Sequence, residues 1–235
     1  MTSTTAAAGP FTRPVPDQPD THRRRTGAAV LVGAAALGAA GERVLTFWHP
    51  DLDEGGGIAF DRLHGMQDTW WAMHFFGGVS VIVLVACVAL AVQVLTPGRG
   101  SAWAAVGGMV LLAGGALFGV GIAAEGTAMT YATQAGEPGR AVLAELVRDP
   151  SRFLLGIAPG VLLMTAGTLL AVVALWRAGT APRVLLGVLT LGTVGGAVVP
   201  FGVVPAVGTT LTSSLPLLAL VVLAARRLRG GRTEL

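Results

Sequence analysis

The stretch Trp71–Leu95, WAMHFFGGVSVIVLVACVALAVQVL, contains no ionisable side chain other than His74 and the thiol of Cys87. A hydrocarbon core about 30 Å thick is crossed by roughly 20 apolar residues in a helix, which satisfies its own backbone hydrogen bonds there. The stretch is therefore read as a transmembrane helix. Five further runs have the same character, at residues 27–47, 103–124, 153–176, 184–204 and 209–225. The expected fold class is all-α, a polytopic transmembrane bundle of six helices with both termini cytoplasmic. Residues 1–25 form a disordered basic cytoplasmic tail, 26–226 the six-helix transmembrane domain and 227–235 a second basic cytoplasmic tail.

Composition points the same way. The chain is 53% hydrophobic and only 12% charged, about half the charge of a soluble domain. All sixteen basic residues are arginine. With the excess of Ala, Gly and Val, this reads as a G+C-rich bacterial gene and places the protein in a bacterial plasma membrane. Eleven of the sixteen arginines, among them Arg23, Arg24, Arg25, Arg99, Arg177, Arg183, Arg226 and Arg227, fall on alternate connections or in the tails. Arginine bias near span ends sets orientation, which makes that side cytoplasmic. The same bias accounts for the basic isoelectric point, so the expected surroundings are a lipid bilayer and a membrane or extracellular protein partner, with no nucleic acid. Cys87 lies mid-span and is assigned to packing.

Residues preceding the first span are interrupted by Pro10, Pro14, Pro16 and Pro19 and end at Arg23-Arg24-Arg25. A signal peptide cleaved after Ala40 is the alternative reading of this region. It is disfavoured because Val44, Leu45, Phe47 and Trp48 carry the apolar run on to an aromatic anchor. The first outer loop is acidic and is broken by Gly55-Gly56-Gly57. After the break, residues 58–68 are expected to form a short surface helix, with Trp70 and Trp71 as headgroup anchors. In the second outer loop, residues 138–147 suggest an interfacial turn or two, and Asp149-Pro150 supplies an N-cap with proline at the first helical position.

Small residues mark packing faces: Gly115-x-x-x-Gly119, Gly156-x-x-x-Gly160 and Gly192-x-x-x-Gly196. They are read as contacts within the bundle, with dimerisation as the alternative. Pro159 is expected to kink the fourth span, and Pro200 and Pro205 to bend the outer end of the fifth. Thr209, Thr210, Thr212, Ser213 and Ser214 at the start of the sixth span are expected to bond neighbouring carbonyls.

Chemistry-bearing residues are few. Glu42, His74 and Glu125 lie at similar depth near the outer boundary, with small residues beside each, and are the candidate ligand- or proton-binding cluster. Snorkelling of each to the headgroups is the plainer alternative. Asp61, His64 and Asp68 would share one face of the expected loop helix, a spacing also common on acidic surface helices, so no metal is assigned. Asp51-Leu52-Asp53-Glu54-Gly55 fails as a calcium loop because its twelfth position is Arg62. Signatures of zinc proteases, serine hydrolases and phosphate-binding loops are absent from the sequence, and a transmembrane dihaem site would need more histidines at span depth. No catalytic residue and no cofactor is assigned, and an enzyme is the less expected class.

His49-Pro50 after the first span, Glu125-Gly126 closing the third and Ala181-Pro182-Arg183 before the fifth make the chain resemble a broad group of actinobacterial six-span integral membrane proteins of unknown function. The resemblance covers residues 27–229 and implies a six-helix plasma-membrane bundle without an activity. The expected role is a non-enzymatic binding or accessory component with an acidic outer loop. The alternative is a small-solute or proton-coupled transporter using Glu42, His74 and Glu125.

Overall fold

The computed structural model describes residues 26–31, 33–34, 38, 53–54, 57–58, 60–96, 98–149, 151–198, 221–222 and 225–226. Apart from an antiparallel two-residue pairing of β1 (Asp53–Glu54) with β2 (Gly57–Ile58), the regular elements among these residues are helical. Besides the helical residues 26–31, 33–34, 38, 221–222 and 225–226, they are α1 (Phe60–Gly65), α2 (Gln67–Leu95), a 3-10 turn (Gly98–Gly100), α3 (Ser101–Gln134), α4 (Glu137–Arg148), α5 (Ser151–Arg177) and α6 (Arg183–Val198). Three helical stretches are long and apolar enough to cross a membrane: Gln67–Leu95, Gly98–Gln134 and Leu154–Arg177. They correspond to the second, third and fourth expected spans. The shorter apolar helix Arg183–Gly195 covers the start of the fifth. Most of the first span, the end of the fifth, nearly all of the sixth and both tails lie outside the described residues.

Helix α3 sits between α2 and α5, and glycine stripes form both seams. Toward α2 the stripe is Gly108, Gly115, Gly119 and Gly126, which meet Ala89, Val85, Gly78 with Ile82, and His74 respectively. Toward α5 it is Gly107, Gly114 and Gly121, which meet Leu170, Met164 and Ile157. A Cβ at Gly114 would lie 2.5 Å from the Met164 nitrogen and 2.8 Å from the Gly160 oxygen, so backbone lies against backbone there. Lipid gives apolar helices no transfer gain on association, and their affinity comes from close van der Waals approach, which small residues permit. Gly115, Gly119, Gly156 and Gly160 all serve contacts within the chain, as the sequence reading expected. Large side chains such as Phe76, Leu90, Met109, Val120, Leu155 and Leu162 point outward and are exposed.

The two ends of the bundle differ. At one, Ala28 and Leu31 join Val92, Leu95, Ala104, Leu175, Leu186 and Leu189 in a buried cluster. Gly27 lies against Val94 and Gly38 against Leu84, so these two described positions are ordered antiparallel to α2 from this end. Arg99, Arg177 and Arg183 ring it. The other end carries Asp61, Asp68, Glu137, Glu145 and Asp149 interspersed with Arg62, Arg140 and Arg148. There Asp149 caps α5 as its sequence predicts, its Oδ1 accepting the Ser151 N–H at 3.1 Å. Helix α5 runs unbroken through Pro159.

Candidate functional site

Helix α3 has 34 residues, about 51 Å at 1.5 Å per residue, roughly 20 Å more than a hydrocarbon core needs. The third span was expected to close at residue 124, yet the helix continues to Gln134. Its last turns form the spine of a cap at the acidic end. Phe60 and Leu63 of α1, Trp70 of α2, Met129 and Ala132 of α3 and Leu143 of α4 bury one another there. Leu63 and Leu143 are almost fully enclosed.

The chain reverses between α3 and α4 at Gly136, whose φ of +66° favours glycine. At Gly139 a Cβ would collide with the Ala132 carbonyl oxygen. These two positions let amphipathic α4 lie directly on the end of α3. The expected turn or two is thus a full 12-residue helix. Trp70, expected at the headgroups, is instead 3% exposed inside the cap. Trp71, by contrast, is exposed and stacks on Phe75 at 5.1 Å.

Polar contacts fasten α1 to this spine. The His64 imidazole donates from Nδ1 to the Thr133 carbonyl at 3.1 Å. Arg140 of α4 donates to Asp61 of α1 at 2.9 Å and to Glu137 at 3.3 Å, and its guanidinium lies 4.4 Å from the Phe60 ring centroid. These hydrogen bonds, that to Asp61 first, hold the Arg140 guanidinium above its ordinary pKa. Because α1 ends at Gly65 and α2 begins at Gln67, the expected single helical face of Asp61, His64 and Asp68 is divided. Among the described residues, no group of three or more His, Cys, Asp or Glu side chains is placed to hold a metal.

Below the cap, His74 is 9% exposed. Its Nδ1 lies 2.9 Å from the Trp70 carbonyl oxygen, and its ring is 4.0 Å from the Trp70 ring. A carbonyl can only accept, so Nδ1 carries the proton in this contact. Gly126 faces the Cβ of His74, and any side chain at Gly126 would collide with it. Glu125, the preceding residue, is half-buried. His74 and Glu125 therefore occupy the same level of adjacent helices, while Glu42 lies outside the described residues. The hydroxyls of Thr127, Thr130 and Thr133 donate to carbonyls of their own helix, the pattern of hydroxyls in poorly solvated surroundings.

Two signals for this region were present in the sequence: the i, i+4 relation of Trp70 and His74, and the glycine at 126. The partners Thr133 and Arg140 lie more than 60 positions from their contacts and had no local signal. Comparison with family models, with curated proteins and with solved structures finds no match.

Proposed function

We propose that the chain is a multi-pass protein of the bacterial plasma membrane, with six spans and both termini cytoplasmic, that acts as a non-enzymatic accessory component. Its outer cap receives a membrane-bound or extracellular protein partner. The observation that carries this reading is the cap itself: α3 extends beyond the length a bilayer requires to support a folded surface. That surface displays exposed Asp61, Asp68, Glu137 and Glu145. Electrostatic complementarity would steer a partner of basic surface. The closed glycine seams between α2, α3 and α5 favour a supporting role over a solute path along them. The orientation rests on the arginine bias of that end, which the positive-inside rule makes cytoplasmic, and is supported by Gly27 standing nearer that end than Gly38.

A photo-crosslinking amino acid in place of exposed Glu145 should give one discrete adduct in intact cells of the source bacterium. Reversing Asp68 and Glu137 to arginine should abolish it. An impermeant thiol reagent should label Gly56→Cys from outside and leave cysteines at Thr4 and Thr233 unmodified.

The second reading is proton-coupled transport through Glu42, His74 and Glu125, and the burial of His74 against Gly126 favours it. Proteoliposome proton flux that disappears in His74→Gln and Glu125→Gln would replace the accessory reading with this one.

A further inference from the structure

We infer that the arginine end of the bundle holds a binding site for the phosphate headgroup of an anionic phospholipid, built by Arg99, Arg177 and Arg183 around Trp103. The inference rests on membrane insertion alone, independent of the cap's role and of which face is cytoplasmic.

Three local structures bring these residues together. At the end of α5, Gly179 at φ +64° donates its N–H to Trp176 O and Thr180 donates to Leu175 O, at 3.0 and 3.1 Å. This paired closure reverses the chain. Arg183 then opens α6 beside the last turn of α5, with Leu186 and Leu189 buried against Ala171, Ala174 and Leu175. The 3-10 turn before α3 sits on that same turn of α5: a Cβ at Gly100 would be 2.5 Å from Ala174 O and 3.1 Å from the Ala178 Cβ. Arg99, in that 3-10 turn, enters the continuous helical stretch Gly98–Gln134 four positions before Trp103. The Arg177 guanidinium lies 6.0 Å from the Trp103 ring centroid. The turn that carries Arg99 and the end of α5 that carries Arg177 thus meet at this level of the bundle, with the Arg177 guanidinium over the indole.

Among the described residues, the charge there is uncompensated. All three arginines are exposed, and none forms an ion pair among the described residues. No acidic residue stands among the described residues of this end, in contrast to Arg140 and Arg148, which pair with acids at the opposite end. Clustered guanidinium groups match the oxygens of a phosphate, and basic sites between transmembrane helices bind anionic headgroups. Exposed apolar side chains continue from the arginines along the bundle: Trp176 at 62%, Val184 at 80% and Leu191 at 75% exposure. Acyl chains would cover these, and a free phosphate would not. The occupant is therefore a diacyl phospholipid with an anionic head.

The test is a lipid titration of the full chain in neutral detergent, read by thermal stabilisation. Phosphatidylglycerol should raise the melting temperature in a saturable way, while phosphatidylcholine and inorganic phosphate should not. Arg99→Gln and Arg177→Gln should each weaken phosphatidylglycerol binding about fivefold, and together about 25-fold. Both side chains are exposed, so melting with phosphatidylcholine should stay at the parent value. Arg148→Gln, at the far end, should bind as the parent does. An equal response to inorganic phosphate would assign the arginines to a soluble anion and overturn the proposal. So would parent-like phosphatidylglycerol affinity in the double variant.

Discussion

Between Gly107 and Gly121, α3 meets α5 largely through backbone atoms, whereas between Met129 and Thr133 the same helix meets α1, α2 and α4 through Leu63, Trp70 and Leu143. The change of solvent explains the change of method. In lipid, burying a leucine between helices gains little, and stability comes from surfaces close enough for dense van der Waals contact. Beyond the bilayer, removing a leucine or tryptophan from water is favourable by about 1.5–3 kcal/mol. Large side chains accordingly move from the outside of the bundle to the inside of the cap within a single continuous helix.

The strongest challenge to this contrast is Gly114→Leu. Its neighbours are the backbone of Met164 and Gly160, which cannot turn aside as a side chain can. The substitution should cost on the order of 3 kcal/mol or more and lower the melting temperature in detergent by about 10 °C. Gly187→Leu has nothing within 4 Å and should melt as the parent does. Similar melting of both variants would mean that the seam is not closed.

Leu143→Ala probes the other method. It should remove about 2–3 kcal/mol from the cap and accelerate amide hydrogen exchange in α4 by roughly 30- to 150-fold, leaving exchange in the centre of α3 unchanged. Exchange rising equally in both regions would show cap and bundle to be one cooperative unit.

The smallest effect is expected for Arg140→Gln, because the ion pair with Asp61 is exposed and screened by solvent. Parent and variant caps should differ in low salt and converge as salt is added, measured by exchange in α1. Since Arg140 has a raised pKa, its contribution is complete below the ordinary arginine value. It is lost only as pH rises through the folded value, so this group should add no pH dependence between about pH 5 and pH 9.

Much of the bundle was legible because hydrophobic length is a local property. Trp71–Leu95 declares a span by itself, and Asp149 declares the start of α5. Gly115-x-x-x-Gly119 marked a packing face. The heptad spacing of Gly107, Gly114 and Gly121 was equally visible but did not announce which neighbour it served. The cap was harder to read. Its residues have mixed polarity, and α1 is only six residues long. Trp70 beside Trp71 looked like one of two boundary anchors until the fold turned it inward.

The sequence by itself determined the solvent: uninterrupted apolar runs leave few structures other than membrane helices, whatever lies around them. The arginine distribution likewise marked one end of the bundle as different from the other. Only the tertiary structure decided that α3 carries two glycine seams to two partners, and that α4 folds back at Gly136 to close a cap. It also decided that His74 lies against Gly126, and that Arg177 lies over Trp103 beside the turn that carries Arg99. Each of these depends on residues tens of positions apart meeting in space, and no local propensity records such a meeting.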